Sequence, residues 1–138
     1  MSFLADTNVL SELARARPSD QVVKWARANQ GQLYVSTITL GELKFGVAIL
    51  RESKRKRALQ EWLSRLNEIM DGRTLSFNRA VAYVWADMRA KLKRDGHIMP
   101  VADGMIAAIA KRHDLTIATR NTADFHGIGV PVFNPFES

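Results

Sequence analysis

The sequence predicts an α/β fold in which strands and crossover helices build a mainly parallel sheet. Two observations predict it: short apolar runs alternate along the chain with longer amphipathic stretches, and those stretches keep helical spacing over several turns. A third bears on organisation. No Pro/Ser/Gly-rich linker interrupts the 138 residues, so residues 1–138 read as one domain.

The strand candidates are Phe3-Leu4-Ala5, Leu33-Tyr34-Val35, Thr74-Leu75-Ser76, Thr116-Ile117-Ala118 and Val130-Pro131-Val132-Phe133. Pro131 has no N–H to give to a ladder, which places the last strand at an edge. Ser19 fits the N-cap of a helix reaching Asn29, with Val22, Val23, Trp25 and Ala26 inward and Gly31 closing it. Leu59, Trp62, Leu63, Leu66 and Met70 mark a second packed helix over Ala58 to Met70. Between Phe77 and Gly96, residues Val81, Val84, Trp85, Met88 and Leu92 fall at offsets of 0, 3, 4, 7 and 11, one helical face. Trp85 is therefore a core residue rather than a base-stacking platform. Asn78 suits the start of that helix and Gly96 its end.

With 46% hydrophobic and 25% charged residues, the chain has the composition of an ordinary globular protein. The absence of cysteine excludes disulfides and thiolate metal sites. The opening Met1-Ser2-Phe3-Leu4-Ala5-Asp6 lacks a signal peptide's basic and apolar regions. Apolar runs such as Met105 to Ala110 fall far short of the roughly 20 residues that span a bilayer. The expectation is a cytoplasmic protein without membrane contact. A net charge of +6 favours an anionic partner. Arg51-Glu52-Ser53-Lys54-Arg55-Lys56-Arg57 carries five of the positive charges, and fits either a solvated helix start or a phosphate-tracking surface.

Four acids stand where an apolar strand gives way to a helix or turn: Asp6, Glu42, Asp103 and Asp124. Ligands of open α/β sheets bind at the carboxyl ends of the strands. Asp6 directly follows Phe3-Leu4-Ala5 and also suits a helix N-cap. Glu42, in Thr39-Leu40-Gly41-Glu42, also has capping-box spacing and would open the helix that follows. Asp103 is the only charge from Met99 through Ala110, a small-residue helix start that can approach the sheet closely. A buried lone carboxylate costs several kcal/mol, so it calls for a partner such as a metal ion. Asp124 follows Thr116-Ile117-Ala118 within Thr119-Arg120-Asn121-Thr122-Ala123-Asp124, where it also fits an ordinary turn.

Four carboxylates gathered at one edge repel one another unless cations neutralise them. All-oxygen donors suit hard ions such as Mg²⁺ or Mn²⁺, one or two per site. Such ions can polarise a phosphodiester and support its hydrolysis. In this reading Asp6, Asp103 and Asp124 hold the metal, and Glu42 orients or deprotonates the attacking water. Lys44, Arg51 and Arg120 are candidate phosphate contacts.

The residues also carry a family pattern. The sequence resembles the PIN-domain ribonucleases, in particular the VapC and FitB type of toxin from bacterial type II toxin–antitoxin pairs. The resemblance runs through Leu4-Ala5-Asp6-Thr7-Asn8-Val9-Leu10-Ser11-Glu12, Ser36-Thr37-Ile38-Thr39-Leu40-Gly41-Glu42-Leu43 with Gly46, and Pro100-Val101-Ala102-Asp103-Gly104-Met105-Ile106-Ala107-Ala108. It continues in Thr119-Arg120-Asn121-Thr122-Ala123-Asp124-Phe125 and Asn134-Pro135-Phe136-Glu137, with Phe136 where many members have Trp.

The resemblance implies a three-layer α/β/α sandwich and a Mg²⁺- or Mn²⁺-dependent endoribonuclease leaving 5′-phosphate and 3′-hydroxyl ends. It also implies inhibition by a cognate antitoxin that binds operator DNA, and a homodimer. Asp6, Glu42, Asp103 and Asp124 fall on the family's acidic positions, and Thr7, Thr119 and Asn121 on polar positions lining the same pocket. The rivals are weaker. A phosphatase with an Asp nucleophile usually has a second Asp two residues on, where Asn8 stands, and neither a G-x-G-x-x-G nor a G-x-x-x-x-G-K-[ST] loop is present. A silent binding module, with the acids as helix caps, is the rival from another class.

Overall fold

In a computed structural model that describes residues 1–137, five strands form one sheet in which every pairing is parallel. The strands are β1 (Phe3–Ala5), β2 (Leu33–Ser36), β3 (Thr74–Leu75), β4 (Thr116–Ala118) and β5 (Val132–Phe133), in the order β3-β2-β1-β4-β5. β1 pairs Phe3 with Leu33 on one side and with Thr116 on the other. Six α-helices complete the fold among the described residues: α1 (Thr7–Leu13), α2 (Asp20–Ala28), α3 (Thr37–Ala48), α4 (Lys54–Ile69), α5 (Arg79–Arg94) and α6 (Val101–Arg112).

Strand side chains alternate between faces, and here both faces are covered. Phe3, Ala5, Leu33 and Val35 pack on one side with Val9 and Leu10 of α1, Val22 and Trp25 of α2, Leu43 of α3, and Leu63 and Leu66 of α4. Leu4 and Ile117 face the other side, against Val81 and Met88 of α5 and Ile106 through Ala110 of α6. The three-layer sandwich follows from that alternation.

Local signals explain the helix starts. Ser19, Ser36, Ser53 and Asn78 each accept a hydrogen bond from a first-turn N–H of α2, α3, α4 and α5. Gly96 takes a φ of +78° just after α5, where a side chain would be strained. Trp85 joins the core cluster beneath α5, edge-on to Phe77. A Cβ on Gly104 would stand 3.2 Å from Trp85 Nε1, so the glycine is what lets α6 lie against α5.

Some boundaries differ from expectation. Asn29 ends α2, and Gly31 lies in a separate 3₁₀ turn, Gln30–Gln32, that leads into β2. α4 begins at Lys54, four residues before the expected Ala58, so Lys54 through Arg57 of the basic run form its first turn. The last strand keeps only Val132 and Phe133, and it does lie at the edge.

Candidate active site

The chain runs from β1 outward through β2 to β3, then returns to the other side of β1 for β4 and β5. The carboxyl ends of β1 and β4 therefore flank the switch point where α/β folds open a crevice. Asp6 leaves β1 there, its N–H bonded to the Ala118 carbonyl of β4 at 2.9 Å.

Three groups fix the buried Asp6 carboxylate. Oδ1 accepts the Thr7 N–H at 2.8 Å, while Oδ2 accepts the Thr119 hydroxyl at 2.9 Å and Asn8 Nδ2 at 3.3 Å. Asp6 is thus the N-cap of α1 and a site residue at once. Burial pushes its carboxyl up, against the downward pull of the Thr119 and Thr7 hydrogen bonds, and the charges of Glu42 and Asp124 add to the upward push.

Glu42 does not cap a helix. Ser36 caps α3 through the Thr39 N–H at 3.0 Å, which leaves Glu42 in the second turn. Its Oε1 instead accepts the Thr7 hydroxyl at 2.6 Å, with the Thr39 hydroxyl 3.2 Å from Thr7 Oγ1. Asp103 projects from the first turn of α6, and Asp124 from the 3₁₀ turn Thr122–Phe125 after β4.

These four acids line one cavity of about 640 Å³, together with Thr7, Asn8 and Asn121. Among the described residues neither the Asp103 nor the Asp124 side chain has a hydrogen-bond or ion-pair partner. Burial, then the charges of Asp6, Asp124 and Glu42, push the Asp103 carboxyl up to about 6. The cavity stores mutual repulsion that a cation would relieve.

Not every predicted contact reaches that cavity. Thr119 is fully buried and grips Asp6 rather than facing a ligand. Lys44 and Arg51 are exposed and lie outside the cavity lining. Arg120 also lies outside it, its guanidinium 4.7 Å from the Phe136 ring centre.

Five residues in the lining had not been singled out from the sequence as site residues: Asn8, Ser11, Glu12, Arg15 and Arg55. Asn8 bridges the switch point: its Nδ2 reaches Thr119 Oγ1 at 3.1 Å, and its Oδ1 accepts the Arg120 N–H at 3.0 Å. Arg15 and Arg55 bring positive charge to the cavity wall. The only sequence signal for Arg15 was its position three residues after Glu12, the spacing of the helical ion pair that it makes.

The donor chemistry fits a hard divalent ion. Every acidic donor is a carboxylate, and no thiolate or imidazole enters the lining. Among the described residues no three His, Asp or Glu groups close around a point as a finished metal cage. Mg²⁺ does not need such a cage, since it keeps several waters and takes one or two carboxylates plus substrate phosphates.

Known proteins share this architecture. The model of the PIN domain family matches residues 3–130. Toxin FitB of Neisseria gonorrhoeae is 43% identical over 136 residues, 97% of this chain and 98% of that protein. VapC ribonuclease Y4jK of Sinorhizobium fredii is 39% identical over 137 residues, 98% of each. In a structure of FitAB bound to an IR36 DNA fragment, a chain 40% identical superposes with a TM-score of 0.90, covering 97% of this chain and 95% of that one. With its switch-point acids and these whole-length relatives, the chain belongs to the PIN domain family, in the branch that holds the FitB toxin and the VapC ribonucleases.

Proposed function

We infer that the protein is the ribonuclease toxin of a type II toxin–antitoxin pair, a divalent-metal-dependent endonuclease that hydrolyses RNA phosphodiester bonds. The observation that carries the reading is the convergence of Asp6, Glu42, Asp103 and Asp124 on one cavity, with Asp103 and Asp124 unpartnered. Asp6, Asp103 and Asp124 would hold one or two Mg²⁺ or Mn²⁺ ions. Such an ion supplies charge neutralisation on the phosphate and on the departing oxygen.

The chain's own groups do the rest. Thr119 and Asn8 fix the rotamer of Asp6, so its carboxylate meets its ligand without reorganisation. Thr7 holds Glu42 by one oxygen, leaving the other to orient a water and accept its proton. Attack in line on phosphorus then leaves a 5′-phosphate and a 3′-hydroxyl. Asn121, which lines the cavity, would contact the substrate in this reading.

A cognate antitoxin inhibits the enzyme in this reading, and operator DNA is bound through their complex. FitAB, the related assembly solved on DNA, supports that arrangement. A homodimer acting on cytoplasmic RNA completes it. No helix among the described residues is long and apolar enough to cross a membrane.

The test is cleavage of labelled RNA by the purified protein with Mg²⁺ or Mn²⁺, for wild type and for Asp103→Asn. The reading requires cleavage by the wild type alone and its loss in EDTA. Equal cleavage by both proteins, or cleavage indifferent to EDTA, would sink it.

A further inference from the structure

The basic run ahead of and within α4 does not behave as one surface. Lys56 is turned inward: its Nζ bonds the carbonyls of Ala48 at 3.3 Å and Leu50 at 3.0 Å, and pairs with Glu52 at 3.1 Å. It is consumed in closing the end of α3. Arg55, one residue earlier, lines the acidic cavity instead. Its guanidinium has no hydrogen bond or ion pair among the described residues.

Arg15 reaches the same cavity from the far end of α1. Glu12 fixes it by Nη1 alone, at 3.2 and 3.4 Å. Glu12 is itself anchored, since its Oε2 accepts the Ser19 N–H at 2.8 Å. The Nε and Nη2 donors of Arg15 remain without a partner among the described residues. Both arginines also line an adjoining groove of about 180 Å³, whose floor includes Leu43, Val47, Leu59 and Trp62. Two guanidiniums with free donors thus stand where the acidic cavity opens into that groove.

A phosphodiester chain that brings one phosphate to the acids must carry its neighbouring phosphates past the cavity wall. Free guanidinium forks are the side chains best matched to phosphate oxygens. We propose that Arg15 and Arg55 bind the backbone phosphates flanking the scissile bond, and so set the path of the RNA strand through the groove. This rests on the ribonuclease reading and adds to it the residues that grip the substrate.

The probe is a fluorescently labelled single-stranded RNA of mixed sequence, bound to protein carrying Asp103→Asn so that it is not cut. Affinity is measured by anisotropy from low to high salt, with and without Arg15→Ala or Arg55→Ala. Each substitution is expected to weaken binding about five- to tenfold at low salt, and to flatten the log–log salt dependence by about 0.7, the share of one phosphate contact on a single strand. Arg55→Lys should keep the slope. Thermal melting of each variant checks that it is folded, and both sites are exposed enough to allow that.

Unchanged affinity and slope in both folded alanine variants would overturn the proposal. RNA binding unchanged, with an acidic peptide bound by the parent and lost in the variants, would overturn it in favour of a protein ligand. Wild-type cleavage is followed in parallel. An inert wild type that also fails to bind RNA defeats the ribonuclease reading and this proposal with it, whereas an active wild type with indifferent arginine variants defeats this proposal alone.

Discussion

The Thr7 hydroxyl donates to Glu42 Oε1 at 2.6 Å, joining the first turn of α1 to the second turn of α3 across 35 residues of sequence. This bond sets the rotamer of the only acid in the cavity that comes from α3. Thr7→Val keeps the shape and removes the donor. We expect a loss of about 10- to 100-fold in kcat, the scale of a catalytic group displaced by about an ångström. Thr7→Ser should restore most of it. Steady-state kinetics on one RNA substrate decide the point, and an unchanged kcat in Thr7→Val would refute it.

The pH dependence of the metal-free protein should expose the crowding at Asp103. Its carboxyl is raised from 3.8 to about 6, so the folded chain binds that proton more tightly than the unfolded chain does. Stability therefore falls as pH rises from about 4 to about 6, and the penalty is complete above that window. Asp103→Asn should stabilise the metal-free protein at pH 7.5 by about 1 kcal/mol, discounted for solvent screening at a partly exposed group, and by nothing at pH 4. Urea unfolding in EDTA at both pH values measures the difference.

Divalent ions should reverse that order. Mn²⁺ at a hundredfold excess over its dissociation constant should add about 2.7 kcal/mol to the wild type, and EDTA should remove the gain. Asp103→Asn should gain much less. Because the ligand must be ionised, the gain should also shrink as pH drops below about 6. A thermal shift that is equal in the two proteins would contradict this.

Glu12 titrates in the opposite sense. The Ser19 N–H, ahead of the Arg15 contact, holds its carboxyl below the usual value of 4.5. The stability it contributes is present above that value and disappears as pH falls through the lowered one. Glu12→Gln should cost about 1–2 kcal/mol at pH 7, the scale of a hydrogen bond to a charged group, and progressively less as pH falls below 4.5. Guanidinium chloride melts across that range provide the comparison.

Much of this site was legible because its acids follow directly on signals of local structure. Phe3-Leu4-Ala5 and Thr116-Ile117-Ala118 are apolar enough to be strands by composition alone, and Asp6 and Asp124 follow them. Glu42 was harder. Ser36-x-x-Thr39 and Thr39-x-x-Glu42 have the same spacing, and only the end of β2 at Ser36 decides which pair marks the start of α3. The resemblance put Thr119 on a position lining the pocket, whereas its full burial depends on β4 lying against β1, which no local pattern displays. Arg15 and Arg55 were invisible as a pair, since forty residues separate them and only the packing of α3 between α1 and α4 brings both to one wall.

The clasp of Thr119 on Asp6 spans 113 residues. Asp6 is translated 113 residues ahead of its clasp, so a polypeptide that has not yet reached Thr119 lacks the bond that orders this carboxylate. Translation of such a protein can proceed beside the very RNAs it attacks, with the hazard deferred until β4 is in place. Products that terminate before residue 119 should be harmless to the cell that makes them.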